Sequence, residues 1–433
     1  MLEPLVIDLP SPIVSRVIRK LTIVAVMERE MFEDLEQPIL AALYFGGGVI
    51  APHVVQPFYR NVFCKPIHPG DDFDIMGPTS RRPDCEQQYF ADTGVLAPNG
   101  CVYLAPYDAL KVICVTAEGL VKTMGPDING NRKYGGPGIL APNGCIYFAP
   151  TAAAQVLCIT AEGSVETVGP GLPGWQSYKY SGGGVLAPNG CIYFAPNEAA
   201  RVLCITAGDL VQTLGPELYE AAKYAEGVLA ANGNIYFAPA IQDPNCNGPF
   251  RVLCITAEGI VQTVGPEMKA ADTWGAGVLA PNDCIYFAPL LGAKDVLCIT
   301  AEGAVETLVT ELDACDTWGE GVLATNGCIY FPPKNARRVL CISAEGSVES
   351  LGPEILGFPL RYMRAGVLAP NGCIYFAPYQ AKQVLCITEE GIVQTLGPEN
   401  HGDFKYWGGG VLAPNGVVYF YSPFTDLVLS ITV

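Results

Sequence analysis

Residues 366–388 read GVLAPNGCIYFAPYQAKQVLCIT, and near copies of this phrase fill most of the 433-residue chain. Its first glycine returns at Gly94, Gly138, Gly184, Gly227, Gly277, Gly321, Gly366 and Gly410, with a worn copy, GVIAPH, at Gly48. The steps run from about 43 to 50 residues. That period matches arrays in which each repeat is one small supersecondary unit, unable to bury its apolar surface alone.

Within one unit, GVLAP and CIYFAP flank Asn371-Gly372, a strong hairpin signal because both residues of a two-residue turn need positive φ. QVLCIT is a third β-branched run, EEG a second turn, and IVQTLG alternates like a fourth strand. Four strands in sequence make a meander, the unit of a β-propeller. If Ala377 pairs with Val384, Tyr375 faces Cys386 and Cys373 faces Thr388.

A meander exposes two faces, and a closed ring covers both while removing open ends. The chain is therefore expected to be all-β, a closed propeller of about eight four-stranded blades. Residues 48–93 form a divergent repeat, 94–409 seven regular repeats, and 410–433 three strands that begin the last blade. Asp72–Met76, in DDFDIMGP, matches the VETLGP type of fourth strand and is expected to complete that blade. Nine blades result instead if the worn copy keeps all its strands and Met31–Leu35 closes the ring. Residues 1–47 are an extension in which Ser11-Pro12 caps a short helix carrying Ile13, Val14, Val17, Ile18 and Leu21.

Half of the residues are hydrophobic and 16% charged, with 48 Gly and 36 Pro, which describes a turn-rich globular chain. Apolar runs are too short for a transmembrane helix. The first forty residues lack the order of a secretory signal. With 25 basic and 43 acidic residues the formal net charge is −18, which argues against nucleic acid and anionic membrane as partners and favours basic ones.

Thirteen of the 17 cysteines occupy two fixed places. Cys101, Cys145, Cys191, Cys284, Cys328 and Cys373 lie on the second strand; Cys114, Cys158, Cys204, Cys254, Cys298, Cys341 and Cys386 lie on the third. The two sets share a sheet face diagonally, roughly 7–8 Å apart, beyond the reach of a disulfide. There is no CxxC, and His53, His68 and His401 are the only histidines, so no metal site is assigned. Free core thiols in a reducing intracellular compartment are the expectation. Cys64, Cys85, Cys246 and Cys315 are irregular and receive no role.

The meander also sorts the loops onto two surfaces. One carries the PNG and AEG turns, with an acid from almost every repeat: Glu118, Glu162, Asp209, Glu258, Glu302, Glu345 and Glu390. These read as turn chemistry, or as a dock for a basic partner. The other surface carries the varied links, where loops presented on a rigid scaffold tend to bind. Before each repeat an aromatic recurs, at Tyr134, Tyr180, Tyr224, Trp274, Trp318, Tyr362 and Trp407. A base accompanies several of them: Lys133, Lys179, Lys223, Arg361 and Lys405. Two repeats break that pattern with DTW, at Asp272 and Asp316. The rings either wedge between blades or form a patch for a peptide, glycan or anionic ligand. The longest link, Ala240–Phe250, projects beside Tyr224 and Trp274 and is expected to carry Phe250 and Cys246 at a partner contact, as is the 1–47 extension.

The phrase GVLAPNGCIYFAP…VLCITAEG.V.TLGPE resembles tandem-repeat propeller proteins of microbial eukaryotes, well over 94–433 and poorly over 48–93. It is similar in a generic way to kelch and WD40 propellers but lacks their Gly-Gly and Trp-Asp signatures. The resemblance implies a propeller with an interaction role and carries over no catalytic residue. No nucleophile elbow, P-loop or HExxH is present. The expected function is a non-catalytic, cofactor-free scaffold or accessory subunit with protein partners. The alternative is a small-ligand or glycan-binding propeller, including a hydrolase or lactonase, and convergent polar residues at the central channel would favour it.

Overall fold

The computed structural model describes residues 95–116, 121–173, 178–218, 224–240, 250–269, 272–310, 312–313, 315–357, 359–399, 405–406, 410–412, 417–421 and 428–432. The expected N-terminal helix, the worn repeat, the closing strand at Asp72–Met76 and most of the Ala240–Phe250 link lie outside them. All regular structure among the described residues is β.

In sheet 1, strands β1 (Val95–Leu96), β2 (Val102–Leu104), β3 (Val112–Val115) and β4 (Val121–Met124) pair in order as an antiparallel meander. The same order returns in sheet 2 (139–168), sheet 3 (185–214), sheet 4 (224–268), sheet 5 (273–308), sheet 6 (322–351) and sheet 7 (367–396). Sheet 8 (411–432) has three strands. Tyr375 pairs with Cys386, the register that an Ala377–Val384 pairing requires.

Residues alternate in direction along a strand, so IYF and VLCI each supply two different faces. Tyr147, Val156 and Cys158 of sheet 2 meet Ile192, Phe194, Leu203 and Ile205 of sheet 3, all 4% exposed or less. Equivalent clusters join every consecutive pair from sheet 1 to sheet 8. Burying each large side chain contributes about 1.5–3 kcal/mol, and both faces of an inner sheet gain it.

The hairpins differ from the two-residue turn expected at Asn-Gly. In sheet 1 the Gly100 N–H donates to Ala97 O (3.0 Å) and Ala97 N–H to Cys101 O (2.8 Å). Positive φ occurs at Gly100 (81°), whereas Asn99 keeps a negative φ. Pro98 is the reason: its fixed φ suits the first corner of a type I turn, and only the closing glycine need be left-handed. The Asn99 side chain accepts from Cys101 N–H (2.9 Å) and donates to the Tyr103 hydroxyl (2.9 Å).

That hydroxyl reaches the next sheet. A Cβ on Gly163, in the AEG turn of sheet 2, would stand 2.6 Å from the Tyr103 oxygen. One junction departs from this pattern. The AGD turn of sheet 3 places Gly208 where other repeats have the acid and Asp209, at φ 64°, where they have the glycine. The Asp209 carboxylate accepts from the Tyr147 hydroxyl (2.8 Å) and from Asn143 Nδ2 (2.5 Å). Asp209 thus ties two sheets together and does not belong to the row of turn acids; Glu118 lies outside the described residues. Among the remaining acids, Glu258 and Glu390 are held below the usual carboxylate range by the Thr256 and Thr388 hydroxyls and their own backbone N–H, Glu302 by its own N–H and then Thr300. This is local turn chemistry.

All fourteen described cysteines are free thiols. Burial pushes Cys114, Cys158, Cys204, Cys298 and Cys341 up to about 12 and Cys386 to about 11, and raises Cys254 as well. Folding therefore favours the protonated thiol. That contribution is complete below the ordinary thiol value of 9.0 and is lost as pH rises through the folded values near 12.

Two outcomes follow for stability. Asp209→Gly, the residue the other repeats carry at this position, suits the left-handed φ but strips the acceptor from two inter-sheet donors, and should lower the urea midpoint by an amount equivalent to about 1–3 kcal/mol. Asp209→Asn, which tolerates the same φ and retains an oxygen acceptor, should lose less; equal midpoints for wild type and Asp209→Gly would remove the tie from the account. For the thiols, the stability advantage of wild type over Cys158→Ala, from urea melts under reducing conditions, should narrow between about pH 8 and pH 10.5. Comparing the two chains at each pH cancels the opposing effect of the buried lysines, and a pH-independent gap would contradict the assignment.

Candidate functional site

Among the described residues, the short segments that enter sheets 2 to 8 hold an internal aromatic ring, and in several of them an internal base precedes it. Tyr134, Tyr180, Trp274, Trp318 and Tyr362 are 2% exposed or less, and Tyr224 is half-buried. The hydroxyl of Tyr134, Tyr180 or Tyr362 donates to the carbonyl of Gln155, Arg201 or Gln383, just before the third strand of its own sheet (2.8–3.1 Å). The indole N–H of Trp274 and Trp318 makes the same bond to Asp295 and Arg338 (2.9 and 3.0 Å). Tyrosine and tryptophan interchange here because each sets a donor at the far end of a large apolar body. Burial raises the phenols of Tyr134, Tyr180, Tyr224 and Tyr362.

The bases are buried too: Lys133, Lys179, Arg361 and Lys405 are 1–6% exposed. Lys133 Nζ donates to Gly130 O (2.5 Å) and Lys179 Nζ to Ala152 O (3.3 Å). Arg361 donates to the carbonyls of Asn335, Ala336 and Gly357, leaving its Nε unpaired. Burial lowers the pKa of all three. In the DTW repeats the base is replaced by Thr273 and Thr317, also buried; Thr273 donates to Leu291 O and Thr317 accepts from Asn335 N–H.

The backbone of these entries stitches neighbouring sheets together. Lys133 N–H donates to Tyr107 O, Thr151 N–H to Lys133 O, Lys179 N–H to Thr151 O and Asn197 N–H to Lys179 O. The relay resumes from Thr317 through Lys334, Arg361 and Tyr379 to Lys405.

Of the two readings of the aromatics and bases, their burial fits the wedge between sheets rather than an open patch: Lys133, Tyr134, Lys179, Tyr180, Trp274, Trp318, Arg361 and Tyr362 find polar partners on the backbone inside. Phe250 is not at a loop tip. It opens the third strand of sheet 4, pairs with Met268 and is 6% exposed. In the last repeat the buried ring beside Lys405 is Tyr406, packed against sheet 7; Trp407 and Lys223 lie outside the described residues.

The same surface does hold a cavity of ≈ 320 Å³ among sheets 3 to 7. Tyr224, Trp274 and Trp318 line it, together with side chains not singled out from the sequence: Glu226, Glu320, Lys334 and Arg364. Asn197 and Ser181 add a hydrogen-bonded pair to the wall (2.6 Å). Arg364 pairs with Glu320 (2.9 Å), whose other oxygen accepts from Ala365 N–H (3.1 Å). The Lys334 ammonium is lowered by burial first and then by Arg364, with Glu320 opposing. Entry segments approach closely here: a Cβ on Gly319 would stand 3.0 Å from the carbonyls of Tyr362 and Met363.

A signal for these residues existed in the repeats. The residue following the proline of the second strand is Tyr107, Thr151, Asn197, Ala240, Leu290, Lys334 and Tyr379 in turn, and the one before the first-strand glycine includes Pro137, Gly183, Glu226, Ala276, Glu320 and Ala365. The strand and turn positions scarcely change, while the links and entries around these two positions vary in length and residue type. Four residues of the first series and three of the second line the cavity.

No family model matches the chain, and no curated protein matches it. Solved structures similar to it include virginiamycin B lyase from Staphylococcus aureus, with 15% identity, covering 70% of this chain and 94% of that one at a TM-score of 0.47. A Bacteroides uniformis protein assigned as a 6-phosphogluconolactonase has 13% identity over 77% and 95% of the two chains, with a TM-score of 0.44. A Lactobacillus plantarum protein has 15% identity over 66% and 87%, with a TM-score of 0.42. The likeness is confined to repeated β architecture and says nothing of this chain's chemistry.

Proposed function

We propose that the protein is a small-ligand-binding propeller whose ligand sits in the cavity between the entries of sheets 3 to 7. The observation that carries this reading is the gathering of variable side chains onto an otherwise uniform frame. Every sheet has the same need for wedge, turn and core, yet charge enters the two variable positions only at Glu226, Glu320 and Lys334, and all three reach one cavity. Convergent polar groups in a concave site are what orient a small molecule. Closure of the eight sheets into one ring belongs to this proposal. Binding without turnover is the role assigned, since Glu320 and Arg364 are committed to each other rather than set as acid and base.

A protein-docking role, the first expectation from the sequence, falls on the Ala240–Phe250 link and the 1–47 extension, with the turn acids as a second dock; on that turn surface Leu210, Ile260 and Ile392 follow the turns and are about 60% exposed. Glu258, Glu302, Glu345 and Glu390 there are already engaged by their own turns, which weakens the case for a basic partner.

Ligand-observed NMR against small-metabolite mixtures tests the reading. Ala276→Trp, which fills the cavity from the first strand of sheet 5, should leave the melting temperature within a few degrees of wild type and abolish the saturation transfer of every true ligand. Compounds that bind both chains equally would overturn it.

A further inference from the structure

The cavity contains two carboxylates and two cations, but they are not equivalent. Glu320 is held by Arg364 and by the Ala365 N–H. Glu226 leans toward sheet 3, its Oε1 4.0 Å from where a Cβ on Gly183 would stand, and it is engaged by a partner of its own. Arg364 has Glu320 and a further interaction. Lys334 differs: it rises from the link of sheet 6, its backbone fixed by Thr317 and Arg361, while its ammonium has no hydrogen-bond or ion-pair partner among the described residues. The position does not require a base, since sheets 2, 3, 4 and 5 hold Thr151, Asn197, Ala240 and Leu290 there and keep the same fold.

A half-buried ammonium beside an arginine, with no counter-ion of its own among the described residues, is costly unless something neutralises it. The four cavity charges balance in number, but Glu226 leans toward sheet 3, and the charges that act on Lys334 are Arg364 and the single carboxylate of Glu320. Two cations facing one shared carboxylate on this side of a concave site form a local attractor for a small anion.

Resting on the ligand-site reading above, we propose that the ligand carries one anionic group, a carboxylate or a phosphate, which pairs with the ammonium of Lys334 with Arg364 at its side. The Trp274 and Trp318 edges and the Asn197–Ser181 pair then face the uncharged remainder of the molecule. Charge-assisted bonds of this kind fix orientation as well as affinity.

The test uses the full chain with two probes, acetate and inorganic phosphate, against chloride at equal ionic strength. Lysines are acetylated with a water-soluble succinimidyl ester at neutral pH, and the extent of modification at each lysine is read by peptide mass spectrometry. Lys334 should be protected saturably by at least one probe, while the exposed Lys382, paired with Glu399 on the surface, should be indifferent. Protection by acetate alone, phosphate alone or both supports the proposal and identifies the anion. Equal modification of Lys334 with either probe and with chloride overturns it.

A second arm separates this inference from the reading beneath it. Any compound whose binding is lost in Ala276→Trp is titrated against Lys334→Met and Lys334→Arg. Lys334→Met should weaken it by about ten-fold or more, with Lys334→Arg retaining most of the affinity. If binding depends on the cavity yet is indifferent to Lys334→Met, the ligand site stands and the anionic pairing falls.

Discussion

A four-stranded meander built of IYF and VLCI has no face that water can cover cheaply, and the rest of the molecule follows from that constraint. Tyrosine, valine and cysteine point one way; isoleucine, phenylalanine and leucine point the other. Each sheet is complementary to its neighbour rather than to itself, which makes a succession of sheets the way to bury both faces. The third-strand cysteine fits this frame as a small apolar group whose thiol stays protonated. At the glycines of the AEG turns, the missing side chain leaves room for a phenol from the preceding sheet.

Apolar burial sets the spacing of the sheets but does not fix how one sheet turns into the next. That is done by the entry segments. A ring whose single polar atom binds the start of its own third strand, a base capped by carbonyls and a chain of backbone hydrogen bonds all act within a few residues. Thr273 and Thr317 show that the base can be exchanged for a short hydroxyl if the backbone is still satisfied, so its charge is incidental to the junction. A buried cation in this protein is therefore poor evidence of a ligand unless, like Lys334, it lacks a partner among the described residues.

Once core, turn and wedge positions are spoken for, each repeat retains a few positions free to vary. On the turn surface these freedoms are small, because the acids bind their own hydroxyls and N–H groups. On the entry surface they converge, since the first strands and the second links of successive sheets approach one another there. Variation that is scattered along the sequence is concentrated in space, and the cavity charges are its product.

The meander, its register, the seven regular repeats and the free thiols could be read directly from the chain, because they depend on periodicity and on neighbours within one repeat. Pro98 ahead of Asn99-Gly100 already marked a longer turn than Asn-Gly alone suggests. Comparing repeats position by position would likewise have separated Asp209 from the turn acids and Tyr406 from Trp407. What the sequence could not supply was direction: whether Tyr180 or Lys179 faces solvent or backbone, whether Phe250 ends a loop or begins a strand, and that Glu226, Glu320, Lys334 and Arg364, spread over three different sheets, share one cavity. Strand pattern is a local property set by alternation along one segment. Burial and convergence are set by which neighbouring sheet lies across the gap, and only the tertiary structure decides that.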